Sequence, residues 1–189
     1  MQFSRRRFIE AGAVMTVLPL AGQARTPAKA LAVVDTRHRE GRNFALHYRN
    51  DGGSVHSAID DISRLWLEQL GPVARRNGAP LIGLTRSSTL FCLEQLAWTH
   101  GMRVVLHAEF AAAGLQRVVH RNGVGISFAA IDAAGTQWPQ ALAATLAHCS
   151  DAVSRPGPSA VAEPARFDLN DTTLHAWALA RCGTKGATA

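Results

Sequence analysis

The sequence predicts a single α/β domain, a three-layer βαβ sandwich with a mainly parallel sheet and an antiparallel hairpin at one edge. Three observations carry that expectation. Pro80 to Phe110 reads as strand, turn, helix, strand, and the stretch before it alternates apolar runs with amphipathic ones. Further on, Arg121-Asn122-Gly123 stands between two strand-like runs, which is a hairpin signal. Finally, 189 residues at 47% hydrophobic and 18% charged suffice for one domain with a real core but are short for two. The domain is placed at residues 31–182, after a leader and linker (1–30) and before a disordered tail (183–189).

In chain order, Ala30-Leu31-Ala32-Val33-Val34-Asp35 is an apolar run ending in a carboxylate, suited to a buried parallel strand with Asp35 at its carboxyl end. Thr36 to Arg49 carries Phe44, Ala45 and Tyr48 at helical spacing and stops at Asn50-Asp51-Gly52-Gly53. Ser54 to Ile59 is a weaker strand. Asp60 is placed to cap a helix whose apolar positions Ile62, Leu65, Trp66, Leu70 and Val73 recur at steps of three and four. Pro72 is expected to kink or break it, and Asn77-Gly78 to end it. Pro80 to Leu84 is the next strand, Thr85 to Thr89 supplies hydroxyls for a helix start, and Gly101 stops that helix before the run from Arg103 to His107.

Two such runs joined by a helix form a parallel βαβ unit. The hairpin arms are expected at Gln116 to His120 and Val124 to Ala129. Trp138 to Ser150 is an alanine-rich helix with Pro139 in its first turn. Ser154 to Pro164 is a proline-bearing loop, and Phe167 to Cys182 a short terminal helix or strand.

The amino terminus has a separate logic. Ser4-Arg5-Arg6-Arg7-Phe8-Ile9 precedes the weakly apolar run Ala11 to Ala21. Eleven such residues cannot cross a hydrocarbon core that needs about 20 in a helix, so the run reads as a signal h-region and no transmembrane anchor is expected in the mature form. The pattern resembles the twin-arginine (Tat) export signal of serine, two arginines, any residue, phenylalanine and an aliphatic residue, carried here by Arg5, Arg6, Arg7 and Phe8 after Ser4 and before Ile9, with Glu10 where a lysine is usual. The resemblance implies the Tat translocase as partner in transit, a periplasmic or secreted destination, and a co-exported protein as a further partner. Gly22-Gln23-Ala24 and Ala28-Lys29-Ala30 both offer small-residue cleavage sites.

Charge disfavours one class of partner. The 20 basic residues include only Lys29 and Lys185 as lysines, and removing Met1 to Ala24 takes away three arginines and one glutamate, so the net charge falls from +6 to +4. The remaining surplus is spread along the chain without a basic stripe, which disfavours nucleic acid.

Ligands in open α/β sheets bind beyond the carboxyl ends of the strands, and that rule gathers Asp35, Arg37, Asp60, Asp61, Arg86, Ser87 and Ser88 on one edge. A helix start with an arginine and two serines suits an anion, although serine there is more often a simple cap. Glu94 sits among Leu90, Phe91, Ala97 and Trp98 on a helical projection, so it should either pair with an arginine or perturb its proton affinity as functional carboxylates do. His107 and Glu109 alternate onto one strand face, as an acid–base pair or a polar strand end.

No G-x-S-x-G, His-Glu-x-x-His, Cys-x-x-Cys or glycine-rich phosphate loop is present, and the eight histidines lack metal spacing, so neither cofactor nor metal is expected. Cys92 reads as a small buried residue. Cys149 and Cys182 end the last two expected elements and could pair after export, though geometry is not legible from sequence. The Gly-Leu-Thr, Leu-Phe-Cys-Leu-Glu, Leu-Ala and Arg-Val-Val pattern of residues 83–105 resembles small Tat-bearing bacterial proteins without assigned function, and that likeness implies no activity. The expectation is therefore an exported, non-catalytic accessory or ligand-binding protein of the periplasm. The alternative is a small enzyme acting on an anionic molecule at the carboxyl edge of the sheet.

Overall fold

In the computed structural model, residues 29–59, 61–121, 126–148 and 173–181 are described. The chain forms β1 (Leu31–Val34), α1 (Arg39–Asn50), β2 (Ser54–Ser57), α2 (Ile62–Leu65), a π-helical turn (Trp66–Leu70) and α3 (Gly71–Asn77). It continues through β3 (Leu81–Thr85), α4 (Ser87–Trp98), β4 (Met102–Ala111), β5 (Gly114–Arg121), α5 (Phe128–Ala133), a 3-10 turn (Gly135–Gln137), α6 (Trp138–His148) and β6 (Leu174–Arg181). One sheet holds six strands in the order β2-β1-β3-β6-β4-β5.

The sheet is parallel on one side only. β1 pairs parallel with β2 and β3, whereas β6 pairs antiparallel with both β3 and β4, and β4 antiparallel with β5. The expected mainly parallel sheet is corrected accordingly. β3 and β4 do run in the same direction, but the carboxyl-terminal strand β6 inserts between them. Its sequence LHAWALAR is apolar almost throughout and buried from Leu174 to Ala180, as suits a central strand covered on both faces.

Alternate strand residues divide between two cores. Ala32, Val34, Ile82, Leu84, Ala176 and Ala178 pack with Phe44 and Tyr48 of α1, Ile131 of α5, and Trp138 and Leu142 of α6. Val33, Leu81, Trp177 and Leu179 pack with Trp66, Leu70 and Ala74, and with Leu90, Leu93 and Ala97 of α4. The period-two alternation of a strand produces this division directly. Gly83 is required by it, since a Cβ there would stand 2.2 Å from the Trp177 ring.

Several local expectations change. The hairpin lies one step earlier than expected: Ala111 pairs with Gly114 across Ala112-Ala113, and Gly114 has φ +130°, a conformation that favours glycine. Phe128 to Ala133 is helical, because alanines with Phe128 and Ile131 three apart make one buried helical face and not an alternating strand. Asn122 and Gly123 lie outside the described residues. So do the leader with Arg5, Arg6, Arg7 and Phe8, the loop from Ser154 to Pro164, Asp60, Cys149, Cys182 and the terminal tail.

Asp61 caps α2, its Oδ1 accepting from the Ser63 and Arg64 amides at 2.8 and 3.3 Å. Pro72 does not break the helical run, because the wide turn before it accommodates a residue that has no N–H and whose ring would crowd the carbonyl four residues back. Cys92 is exposed, not buried: α4 turns Thr89, Leu90, Leu93 and Ala97 inward, which carries residue 92 to the outer side with Phe91 and Trp98. Among the described residues no helix is long and apolar enough to cross a membrane.

Candidate functional site

β1 is flanked by β2 on one side and β3 on the other, so successive connections from it run in opposite directions, and in open α/β sheets ligands bind beyond the strand ends at such a switch point. Asp35 follows β1 at that end. Its amide still donates to the Leu84 carbonyl at 3.0 Å, which fixes the carboxylate beside the end of β3. Arg37 folds back on it as a fork, Nε to Oδ1 at 2.9 Å and Nη2 to Oδ2 at 2.6 Å, and the Arg37 amide donates to Oδ1 at 3.1 Å.

Arg86 also approaches the carboxylate, Nε to Oδ2 at 3.7 Å, and the same Nε donates to His38 Nε2 at 3.4 Å. The Asp35 side chain is wholly buried, while Arg37 and Arg86 retain 45% and 28% exposure, so the guanidiniums reach solvent and the carboxylate does not. Burial works to raise the Asp35 pKa, but the Arg37 hydrogen bonds and the charges of Arg37 and His38 outweigh it and hold the carboxyl below its usual value.

The backbone around this cluster is tightly set. α1 lies against it, since a Cβ on Gly41 would stand 2.0 Å from the Asp35 carbonyl oxygen. Buried Thr85 donates to the Arg86 carbonyl at 3.1 Å and accepts from Trp177 Nε1 at 2.9 Å, which ties the end of β3 to β6. α4 starts at Ser87 with Arg86 as its N-cap. Neither serine is the capping residue, and arginine has no acceptor to offer the first-turn amides. Ser87 is half-buried and Ser88 exposed.

Asp35, Arg37 and Arg86 are thus joined where β1 and β3 end, with His38 added, and Ser87 and Ser88 follow Arg86 in the first turn of α4. Glu94 is not brought there. It lies seven residues beyond Ser87 on α4, roughly 10 Å along the axis. Burial raises its pKa, and the charge of Arg103 partly offsets this. Arg103 in turn lies over the Trp98 ring at 3.6 Å. An open cleft of 560 Å³ lies on the β2 side, lined by Val55, His56, Ser57, Asp61 and Arg64 among others; of the expected edge residues Asp61 lines it, while Asp35, Arg37, Arg86, Ser87, Ser88 and Glu94 do not.

A second cluster occupies the same sheet edge further along. His175 pairs in register with Thr85 of β3 and with Glu109 of β4, and His107 pairs with Trp177. Alternation puts His107, Glu109 and His175 on one face, where His107 Nε2 and His175 Nδ1 stand 2.8 Å apart. Glu109 receives Arg117 of β5 as a fork, Nη2 at 2.7 Å and Nε at 3.1 Å. Both histidines and Glu109 are buried. His107 and Glu109 were legible as a same-face pair, whereas His175 and Arg117 were missed. The signal for His175 is its position as the one ionisable residue inside the apolar run Leu174 to Ala180, which marks a histidine enclosed by a central strand.

No protein-family model matches the chain, and neither the curated proteins nor the solved structures contain a match.

Proposed function

We propose that this chain is an exported ligand-binding protein that takes an anionic small molecule at the switch point between β1 and β3. The observation that carries this reading is the pairing of one buried carboxylate, Asp35, with two guanidiniums, Arg37 and Arg86, that remain partly open to solvent. The cluster holds a surplus positive charge beside a helix start whose amides point outward, and arginine forks match carboxylate and phosphate groups. Asp35 pre-orients both arginines, which lowers the ordering cost of binding.

Export and a periplasmic or secreted destination rest on Arg5, Arg6, Arg7 and Phe8 and on the h-region, with the Tat translocase as partner in transit. An accessory role beside a co-exported partner draws support from Phe91 and Trp98, which stand out from α4 at 46% and 55% exposure. The layering we infer is threefold, with α1, α5 and α6 against one face of the sheet and α2 to α4 against the other, as the two cores suggest. A second reading, an enzyme acting on the same anion, draws support from the presence of an imidazole, His38, whose Nε2 accepts from Arg86 Nε within this cluster.

The test is a thermal-shift panel of phosphate, sulfate and small carboxylates at constant ionic strength. The expected result is a saturable stabilisation that Arg86→Ala abolishes while changing the ligand-free melting point little. If no anion shifts the wild type, or if the shift survives in Arg86→Ala, this reading fails.

A further inference from the structure

The cluster on β4 and β6 supports a conclusion that the anion site does not touch. An imidazole and a carboxylate two residues apart on β4 meet an imidazole of the distant strand β6, and their ligand atoms all lie within 4.8 Å of one another. We propose that His107, His175 and Glu109 form a binding site for a divalent transition-metal ion of the zinc class. Two imidazole nitrogens with one carboxylate oxygen is a donor set that zinc and its neighbours accept, leaving a further position for another ligand.

The geometry is near what such an ion requires. Two nitrogens on one tetrahedral zinc at about 2.0–2.1 Å stand roughly 3.3 Å apart, and these two stand 2.8 Å apart. A small separation of the rings admits the ion, provided that the ring now donating moves its proton to its other nitrogen. All three ligands project from paired strands in the interior of the sheet, so their spacing is held by the ladder between Glu109 and His175 and between His107 and Trp177.

Charge is already arranged for a cation. Glu109 is buried and is balanced by the Arg117 guanidinium, whereas the Arg117 side chain itself is 54% exposed. An incoming divalent ion would bring two positive charges to the carboxylate in place of the single guanidinium charge, so Arg117 is the group it competes with. Two buried histidines and a buried glutamate need partners, which the His107–His175 contact and the Arg117 fork supply, and a metal would take all three groups at once.

The experiment uses the purified full-length chain, stripped with EDTA and titrated with zinc by calorimetry and with cobalt by visible absorption. One equivalent of zinc should bind, and cobalt should show the d–d bands of imidazole ligation. His107→Gln and His175→Gln should each weaken zinc by roughly a hundredfold or more, since even residues that only support a ligand cost 10–100-fold. Arg117→Met should keep the stoichiometry and tighten binding several-fold, because the competing cation is gone. Failure of the wild type to bind either ion would overturn the proposal. So would a cobalt spectrum unchanged in folded histidine variants, which would place the ion on other histidines. If the histidine variants do not fold, Arg117→Met decides, and an affinity no higher than the wild type counts against the site.

Discussion

At Asp35 one enclosed carboxylate faces two guanidiniums that water can still reach, and this asymmetry fixes its pH behaviour. Its pKa in the fold lies below the value of about 3.9 in an unfolded chain, so the native state binds fewer protons there. The stabilisation is therefore present above about pH 4 and is lost as pH falls through the depressed folded value. Asp35→Asn should remove that acid limb and cost on the order of 1–2 kcal/mol near neutrality, low in the range for charge-assisted bonds because Arg37 and Arg86 can rehydrate. Urea unfolding of both proteins from pH 2 to pH 7 checks this, and parallel acid limbs would contradict it.

Tyr48 gives the opposite case. Burial pushes its pKa up to about 12, so its contribution is complete below pH 10 and fades between 10 and 12, a loss that Tyr48→Phe should eliminate. Asp35 and Arg86 were legible as residues because both end or follow an apolar run that could only be a buried strand. His175 was not, because its partners Thr85, His107 and Glu109 come from strands whose adjacency to β6 no local pattern encodes.

Elements were legible where each carried its own pattern. β1, α1, β2, β3, α4 and α6 show their period, their caps or their stop glycines within a dozen residues. The turn between β4 and β5 was not legible, because Ala112-Ala113 lacks the usual turn residues and Asn122-Gly123 offered a stronger local signal. α4 also hid its orientation, since apolar residues occur on both its sides and only packing decides that Leu90 and Leu93 go in while Phe91 and Cys92 stay out.

The contact between β3 and β6 yields a prediction at this scale. Gly83→Ala puts a methyl group 2.2 Å from the Trp177 ring, which also holds Thr85 through its Nε1. The same methyl would stand 2.7 Å from the Val33 carbonyl oxygen, so both the ring and the neighbouring strand must shift, and the expected cost is about 1–3 kcal/mol or more. Chemical denaturation measures it, and a change under a few tenths would mean that Trp177 does not lie on the strand as described.

At the scale of the whole molecule, the position of β6 joins the two halves of the sheet. A strand from the end of the chain separates β3 from β4, so the parallel half and the hairpin half depend on it for their shared edge. The same insertion aligns Asp35, Thr85, His175 and Glu109 along one sheet edge, which is why the proposed anion site and the histidine cluster are neighbours. The proposed export of this unit depends on the arginine side chains of Arg5, Arg6 and Arg7 and not on their charge. Replacing all three with lysine should retain the precursor in the cytoplasm on cell fractionation, and undiminished export would remove the Tat assignment.

The central claim, an anion held at the switch point, is tested most directly by following backbone amide and arginine Nε resonances of the isotope-labelled chain during a phosphate titration at constant ionic strength. The account predicts saturable shifts that are largest at the Ser87, Ser88 and Thr89 amides and at Arg37 and Arg86 Nε. Saturable shifts centred elsewhere with these groups unmoved, or no saturable shift at all, would contradict it.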